Sequence, residues 1–307
     1  MDRLTELEIF RDIAVEGSLA AVARKTGKPA SAITRILNGL EQRLGTRLIE
    51  RTTRRMALTE AGQRLSGHVQ RLLDDVNNAI ADTTGEAQSV SGLLRVTAPL
   101  VFGQRHMAPI LTAFLDVQPD VRVDLALIDR FVDLIDEGFD VALRIGNLQD
   151  STLVVRRVGE VSSVFVASPG YIAKNGAPRA PEDLLQHQLI LLAQTAAAHT
   201  WHFVSQGKPV AIAVRSRYIV NRAELAIAAA LEDRGIMTTF SYQVADHLES
   251  GRLVRLLPSF ELPPVPVQLV FPSNRFPSGR LTAFLEFATP RLRAIPQIRK
   301  LESTPFG

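Results

Sequence analysis

Thr34, Arg35 and Asn38 place a hydroxyl, a guanidinium and a carboxamide within five residues. These side chains can bond base edges and phosphates in a nucleic-acid groove. Interleaved with them are Ile33, Ile36, Leu37, Leu40 and Leu44, whose spacing of i, i+3, i+4, i+7 and i+11 predicts one buried helical stripe. Just beyond, Arg51, Thr53, Arg54 and Arg55 crowd the expected tip of a short hairpin. Arginine in such a tip is drawn to the negative potential of a minor groove or its flanking phosphates. Net charge is only +3, but residues 24–71 hold eleven basic side chains against three acidic ones. Residues 1–23 carry two arginines against five acids, and 72–88 carry four acids and no base. A basic island between acidic flanks is the footprint of phosphate contact.

The elements that must position these groups follow from the caps. An amphipathic helix carries Leu4, Leu7, Phe10, Ile13 and Ala14. Ser18 can cap a second helix over Leu19–Ala23 that Gly27 closes, Lys28–Ala30 turn, and the third helix starts near Ser31 and ends at Gly45. Leu48–Arg51 and Met56–Leu58 form the hairpin, a wing beside a recognition helix. Thr59 begins a helix of about 25 residues in which Leu65, Val69, Leu72, Val76 and Ala79 make a heptad-like seam. The seam serves dimerisation or packs on the protein's own body. Gly85–Gly92 is small and polar, a hinge.

From Leu93 onward strands and helices alternate. Strands are expected at Leu93–Ala98, Val121–Ile128 and Val141–Ile145. Helices are expected at His106–Val117 and Val132–Glu137, with Pro99–Gly103 a loop. A second unit follows with strands at Val164–Ala167, Leu189–Leu192, Ala211–Val214 and Ile236–Thr239. Its helices begin near Pro169 and span Ala223–Glu232. Val265–Phe271 returns to the first unit, and a last helix covers Ser278–Leu292. The order predicts two mostly parallel α/β subdomains with a ligand cleft at the crossing.

Other chemistries lack their residues. There is no cysteine, so disulfides and thiolate metal sites are excluded. No nucleophile elbow and no phosphate-binding glycine loop occurs. His199 and His202 lack a third ligand at a suggestive spacing, and Asp133, Asp136, Glu137 and Asp140 lack calcium-loop spacing. No catalytic residue, metal or cofactor is expected. No apolar run reaches 18 residues and no leader pattern opens the chain, so a cytoplasmic protein without a membrane segment is expected.

The chain resembles the LysR-type transcriptional regulators. The residues that carry this are Gly17–Ala23, Leu40-Glu41-Gln42-Arg43-Leu44-Gly45, Arg47–Arg55 and Leu58-Thr59-Glu60-Ala61-Gly62. Downstream, Leu94–Pro99, Asp129–Leu134, Gly138–Gly146 and Val166–Pro169 are similar to segments of the family's effector domain. The resemblance implies a multidomain α and α/β fold: a winged helix-turn-helix, a linker helix and a two-subdomain sensor like a periplasmic binding protein. On that plan residues 1–58 are the head and 59–91 the linker and dimerisation segment, with Leu65, Val69, Leu72 and Val76 on the seam. Residues 92–307 are the sensor, one subdomain being 92–162 with 268–307 and the other 163–267. The resemblance also implies a homodimer or homotetramer on double-stranded promoter DNA. Ala30, Ser31, Thr34, Arg35 and Asn38 would face the bases, and Arg51, Thr53, Arg54 and Arg55 would lie in the wing. Members commonly carry a polar residue, often glutamine, where this chain has Ala30, which can touch a thymine methyl but makes no bidentate bond.

A small organic effector, an acid or an aromatic, is expected in the cleft. Thr97, Pro99, Leu100, Val101, Phe102, Asp129, Phe131, Ile145, Gly146, Asn147, Ser168, Thr195 and Asn221 are its candidate lining. Phe131 and Leu100 could instead be ordinary core, and Asp129 could simply cap the next helix. The competing class is a solute-binding protein that carries its ligand in the same cleft. The basic winged motif and the missing leader weigh against it.

Overall fold

The computed structural model describes residues 2–51, 56–84, 90–147, 153–192, 199–273 and 278–298. Thr53, Arg54, Arg55, Thr195 and most of the expected hinge lie outside them, and of Arg51 only the backbone is described. Three helices open the chain: α1 (Arg3–Glu16), α2 (Leu19–Thr26) and α3 (Ala30–Leu44). Asp2 and Ser18 cap the first two by accepting from Leu4 N and Ala21 N. Gly17, Gly27 and Gly45 end all three in the left-handed conformation, at φ near +60 to +66°, where a Cβ is costly. Helix α3 begins at Ala30, with Pro29 pre-setting its first turn. Ile33, Ile36, Leu37 and Leu40 are buried with Ile9, Phe10, Ile13 and Val22, but Leu44 is 47% exposed and leaves the expected stripe at the helix end.

The hairpin pairs β1 (Ile49–Arg51) with β2 (Met56–Leu58) in antiparallel register, Ile49 opposite Leu58. Helix α4 (Glu60–Thr84) follows, 25 residues long as expected. Val69 and Leu73 are buried in the core of the first three helices, with Leu65 packed beside them. The first half of the proposed seam is thus spent on the protein's own body. Leu72 is 45% exposed.

Two five-stranded sheets make up the rest. The first runs β4 (Val121–Leu127), β3 (Gly92–Ala98), β5 (Val141–Ile145), β14 (Val265–Pro272) and β6 (Leu153–Val161). The second runs β11 (Tyr218–Val220), β8 (Leu189–Leu192), β12 (Ile236–Phe240), β7 (Ser163–Ala167) and β13 (Val254–Leu256). Both are mixed rather than mostly parallel, because β14 is antiparallel to β5 and β6, and β7 to β12 and β13. Strand β14 starts at Val265, so residues 265–267 belong to the first sheet and not to the second subdomain. A hairpin of β9 (Thr200–Ser205) and β10 (Lys208–Ala213) stands apart.

Three helices face the junction of the sheets. Leu100–Phe102 is already helical (α5) and continues through a π-helical turn, Gly103–Met107, into α6 (Ala108–Val117), so the expected loop there is absent. Helix α8 (Ala223–Leu231) matches expectation, and α9 (Ser241–Glu249) was not foreseen. The expected helix over 132–137 is a turn. Asp133 Oδ1 accepts from Ile135 N (2.9 Å) and Asp136 N (3.0 Å), and Gly138 at φ +78° closes it. A side chain that competes for backbone donors in this way favours a turn over a helix. Two more helices are α7 (Pro169–Asn175) and α10 (Gly279–Arg293), the latter packed on α6, β3 and β6.

Candidate nucleic-acid interface and ligand cleft

On α3 the apolar stripe faces inward, so Ala30, Ser31, Arg35 and Asn38 are exposed and Thr34 is half-buried. These five form one outward row that begins at the first turn of the helix. The wing is tied to this helix. Glu41 Oε1 accepts from Leu48 N (2.8 Å) and Ile49 N (3.1 Å), fixing the base of the hairpin against the end of α3. Thr59 Oγ1 donates to Arg47 O (2.8 Å) while accepting from Gly62 N (3.0 Å). A Cβ added at Gly62 would stand 2.0 Å from Leu48 O, so α4 touches the hairpin backbone to backbone.

The described side chains of the basic island divide into two kinds of charge. Lys25 pairs with Asp12 (3.1 Å), Arg43 with Glu6, and Arg64 with Glu60 (2.6 Å). The Arg43 guanidinium holds the Glu6 carboxyl below its ordinary range. Arg24, Lys28, Arg35 and Arg47 are exposed and make no ion pair with any described residue. These four are available for phosphates or bases.

Between the two sheets lies a cavity of about 350 Å³. It sits at the carboxyl ends of β3, β5, β8 and β12, and at the amino end of β7. Of the expected residues, Pro99, Val101, Asp129, Ile145 and Asn221 line it. Asp129 both caps and bridges. Its Oδ1 accepts from Leu100 N (2.8 Å) at the start of α5, and its Oδ2 meets Arg222 Nη1 (3.4 Å) from the other subdomain.

The remaining expected residues do other work. Leu100 contributes its amide. Phe102 is fully buried behind Tyr242, with ring centres 5.4 Å apart. Thr97 is fully buried and its hydroxyl has no partner among the described residues. Phe131 is 77% exposed, with the Arg144 guanidinium 5.4 Å from its ring centre, so it is neither core nor cleft. Gly146 bonds Pro266 O and the Gln268 side chain, and Asn147 is exposed beyond it; neither lines the cavity. Ser168 caps α7 and donates to Asp233 (2.7 Å). It lies at the far edge because β7 runs against its neighbours, which puts the carboxyl end of that strand away from the cleft.

Ser163, Leu192, Ala223, Glu224, Thr238, Thr239, Phe240, Tyr242 and Gln243 also line the cavity and are not among the residues expected from the sequence. Ser163 and Thr238 bond across β7 and β12 (3.1 Å). Gln243 Oε1 accepts from Phe240 N (3.1 Å) and from the Thr239 hydroxyl. A Gln three residues after a strand end is a helix-start signal, and it marks α9. Burial, and next the Asp129 charge, push the Tyr242 phenol far above its ordinary range.

A winged helix-turn-helix followed by a long helix and a two-lobed domain with a ligand-sized cleft defines a DNA-binding regulator that carries its own sensor. Residues 4–63 match the model of the bacterial regulatory helix-turn-helix protein, lysR family, and residues 87–293 match that of the LysR substrate binding domain. The chain belongs to the LysR family of transcriptional regulators. It is 34% identical over 283 residues to the HTH-type transcriptional regulator PtxR of Pseudomonas aeruginosa, covering 92% of this chain and 91% of that one. Among solved structures it is similar to full-length AphB, a Vibrio cholerae virulence activator (TM-score 0.58, 30% identity, 94% and 98% of the two chains). It is also similar to CrgA of Neisseria meningitidis (TM-score 0.60, 29% identity, 94% and 98%). The match over the head removes support from the solute-carrier reading. No helix among the described residues is long and apolar enough to cross a membrane.

Proposed function

We propose that this regulator binds operator DNA through Ala30, Ser31, Thr34, Arg35 and Asn38, flanked by the wing residues Arg51, Thr53, Arg54 and Arg55. A small organic effector in the interlobe cleft sets its activity at the promoter. The observation that carries this reading is the exposed row on α3, held in register with the wing by the two hydrogen bonds to Glu41. It works as a homodimer or homotetramer in the cytoplasm and catalyses no reaction. The exposed part of α4 around Leu72 is the candidate seam between copies. With Ala30 at the helix start, the base preference of the head differs from that of relatives with a polar residue there.

A gel shift on DNA upstream of the chain's own gene, repeated across a salt series, tests the reading. Specific retardation whose affinity falls steeply with salt is the expected result, because each neutralised phosphate releases counterions. Absence of retardation at low salt overturns it. Sedimentation of the free and DNA-bound protein distinguishes dimer from tetramer.

A further inference from the structure

The cleft is acidic, although three helices aim their positive ends at it. Two of these ends are already answered by a hydrogen bond, and an acid lies in the first turn of the third. Asp129 accepts from the first amide of α5, Gln243 accepts from the amide of Phe240 just before α9, and Glu224 lies in the first turn of α8. Carboxylates at helix starts are stabilised by the helix dipole, and they occupy the place an incoming anion would take. The lining holds two carboxylates, Asp129 and Glu224, and no lysine, arginine or histidine among the described residues. Arg222 reaches Asp129 from the rim at 3.4 Å and balances that one charge. Glu224 is exposed and has no partner among the described residues. Burial chiefly, then the Asp129 charge and last the Glu224 charge, raise the Tyr242 phenol, while the Arg105 guanidinium and the hydrogen bond from Gln243 oppose them. The two acids line the same cavity. Around it stand the neutral hydrogen-bonding groups of Ser163, Thr238 and Asn221, and the apolar side chains of Val101, Ile145 and Leu192.

We infer that the cleft takes a small organic cation: an ammonium or amidinium group held by Glu224 beside Asp129, on an apolar body lying against Val101, Ile145 and Leu192. This rests on the cleft being the effector site. It replaces the expected acid, because a carboxylate entering here would meet Glu224 uncompensated and compete with Asp129 for both the α5 amide and Arg222. An aromatic body remains compatible with the walls. The cavity of about 350 Å³ suits a molecule of that size.

The test uses the full chain and shape-matched probes of opposite charge: benzylamine against benzoate, and butylamine against butyrate. Melting temperature and calorimetric binding are measured for each. Saturable stabilisation by the amines and none by the acids is the expected result. In Glu224→Gln, which alters an exposed side chain and preserves its shape, amine affinity should fall about tenfold, the loss of one charge-assisted hydrogen bond. Three outcomes overturn the inference: acids binding as well as or better than amines, neither series binding, or amine binding unchanged in Glu224→Gln. The operator gel shift is read separately. Retained DNA binding with acid-selective stabilisation reverses the charge of the ligand and leaves the regulator reading intact, whereas loss of DNA binding overturns that reading itself.

Discussion

Gly62→Ala places a methyl group where Leu48 O already stands. Within a helix this exchange ordinarily stabilises by about 1 kcal/mol, because glycine gives up more backbone freedom. Here the added Cβ would lie 2.0 Å from Leu48 O and 3.0 Å from Leu48 C, both main-chain atoms that no rotamer change can remove. Restoring the 3.4 Å of ordinary contact requires a relative movement of about 1.4 Å between α4 and the hairpin. That movement strains the Thr59 N to Leu48 O bond (3.0 Å) and the bond from Leu48 N to Glu41 (2.8 Å). Overpacking costs about 1–3 kcal/mol and each of the two weakened hydrogen bonds about 1 kcal/mol, so the net effect is a loss of about 2–4 kcal/mol after the helix gain. Urea denaturation of the full chain, followed by a signal from the head, measures it. Operator affinity should fall as well, since the wing moves off its register with α3. A variant as stable as the parent or more so, with unchanged operator affinity, would refute the claim that this backbone contact sets the wing.

Arg35→Ala should weaken binding to the operator by about 1–3 kcal/mol and leave binding to random DNA nearly unchanged, if the guanidinium reads a base edge. An equal loss on both DNAs in paired gel shifts makes it a phosphate contact instead. Thr97→Val removes a fully buried hydroxyl that has no partner among the described residues, and should leave stability unchanged or raise it by up to about 1 kcal/mol. A destabilisation seen by calorimetry would mean that the hydroxyl has a partner. Burial lowers the pKa of His106, so the folded chain resists a proton that the unfolded chain accepts below about 6.5. Stability is therefore flat above that value and falls as the pH drops through it toward the folded pKa. His247, lowered chiefly by burial as well, adds to the trend. His106→Phe should flatten the profile between pH 7.5 and about 5.5; a parent that gains stability on acidification contradicts the reasoning.

Local patterns in the chain settled much of the architecture. The caps at Ser18, Gly27 and Gly45, and the 3.6-residue stripe of α3, set the head almost residue by residue, because each signal acts within one turn. Strand β8 and helix α8 were legible for the same reason. Strand direction was not. That β7 runs antiparallel to β12 depends on how distant segments meet, and this alone removed Ser168 from the cleft and put Ser163 into it. The turn at Asp133 is not legible in apolar spacing, because there the Asp133 carboxylate takes the backbone donors of Ile135 and Asp136.

What the sequence by itself determined is the class of the protein: a basic helix-turn-helix and wing ahead of an α/β sensor, since short-range periodicity and capping are enough to specify them. What only the tertiary structure decided is how surfaces are spent. Val69 and Leu65 are taken up by the head's own core while Leu72 is left exposed. Asp129, Glu224 and Tyr242 are far apart in the chain, yet they face one cavity. The sign of charge in that cavity is a sum over groups that only folding brings together, and long-range proximity has no signature in a single sequence.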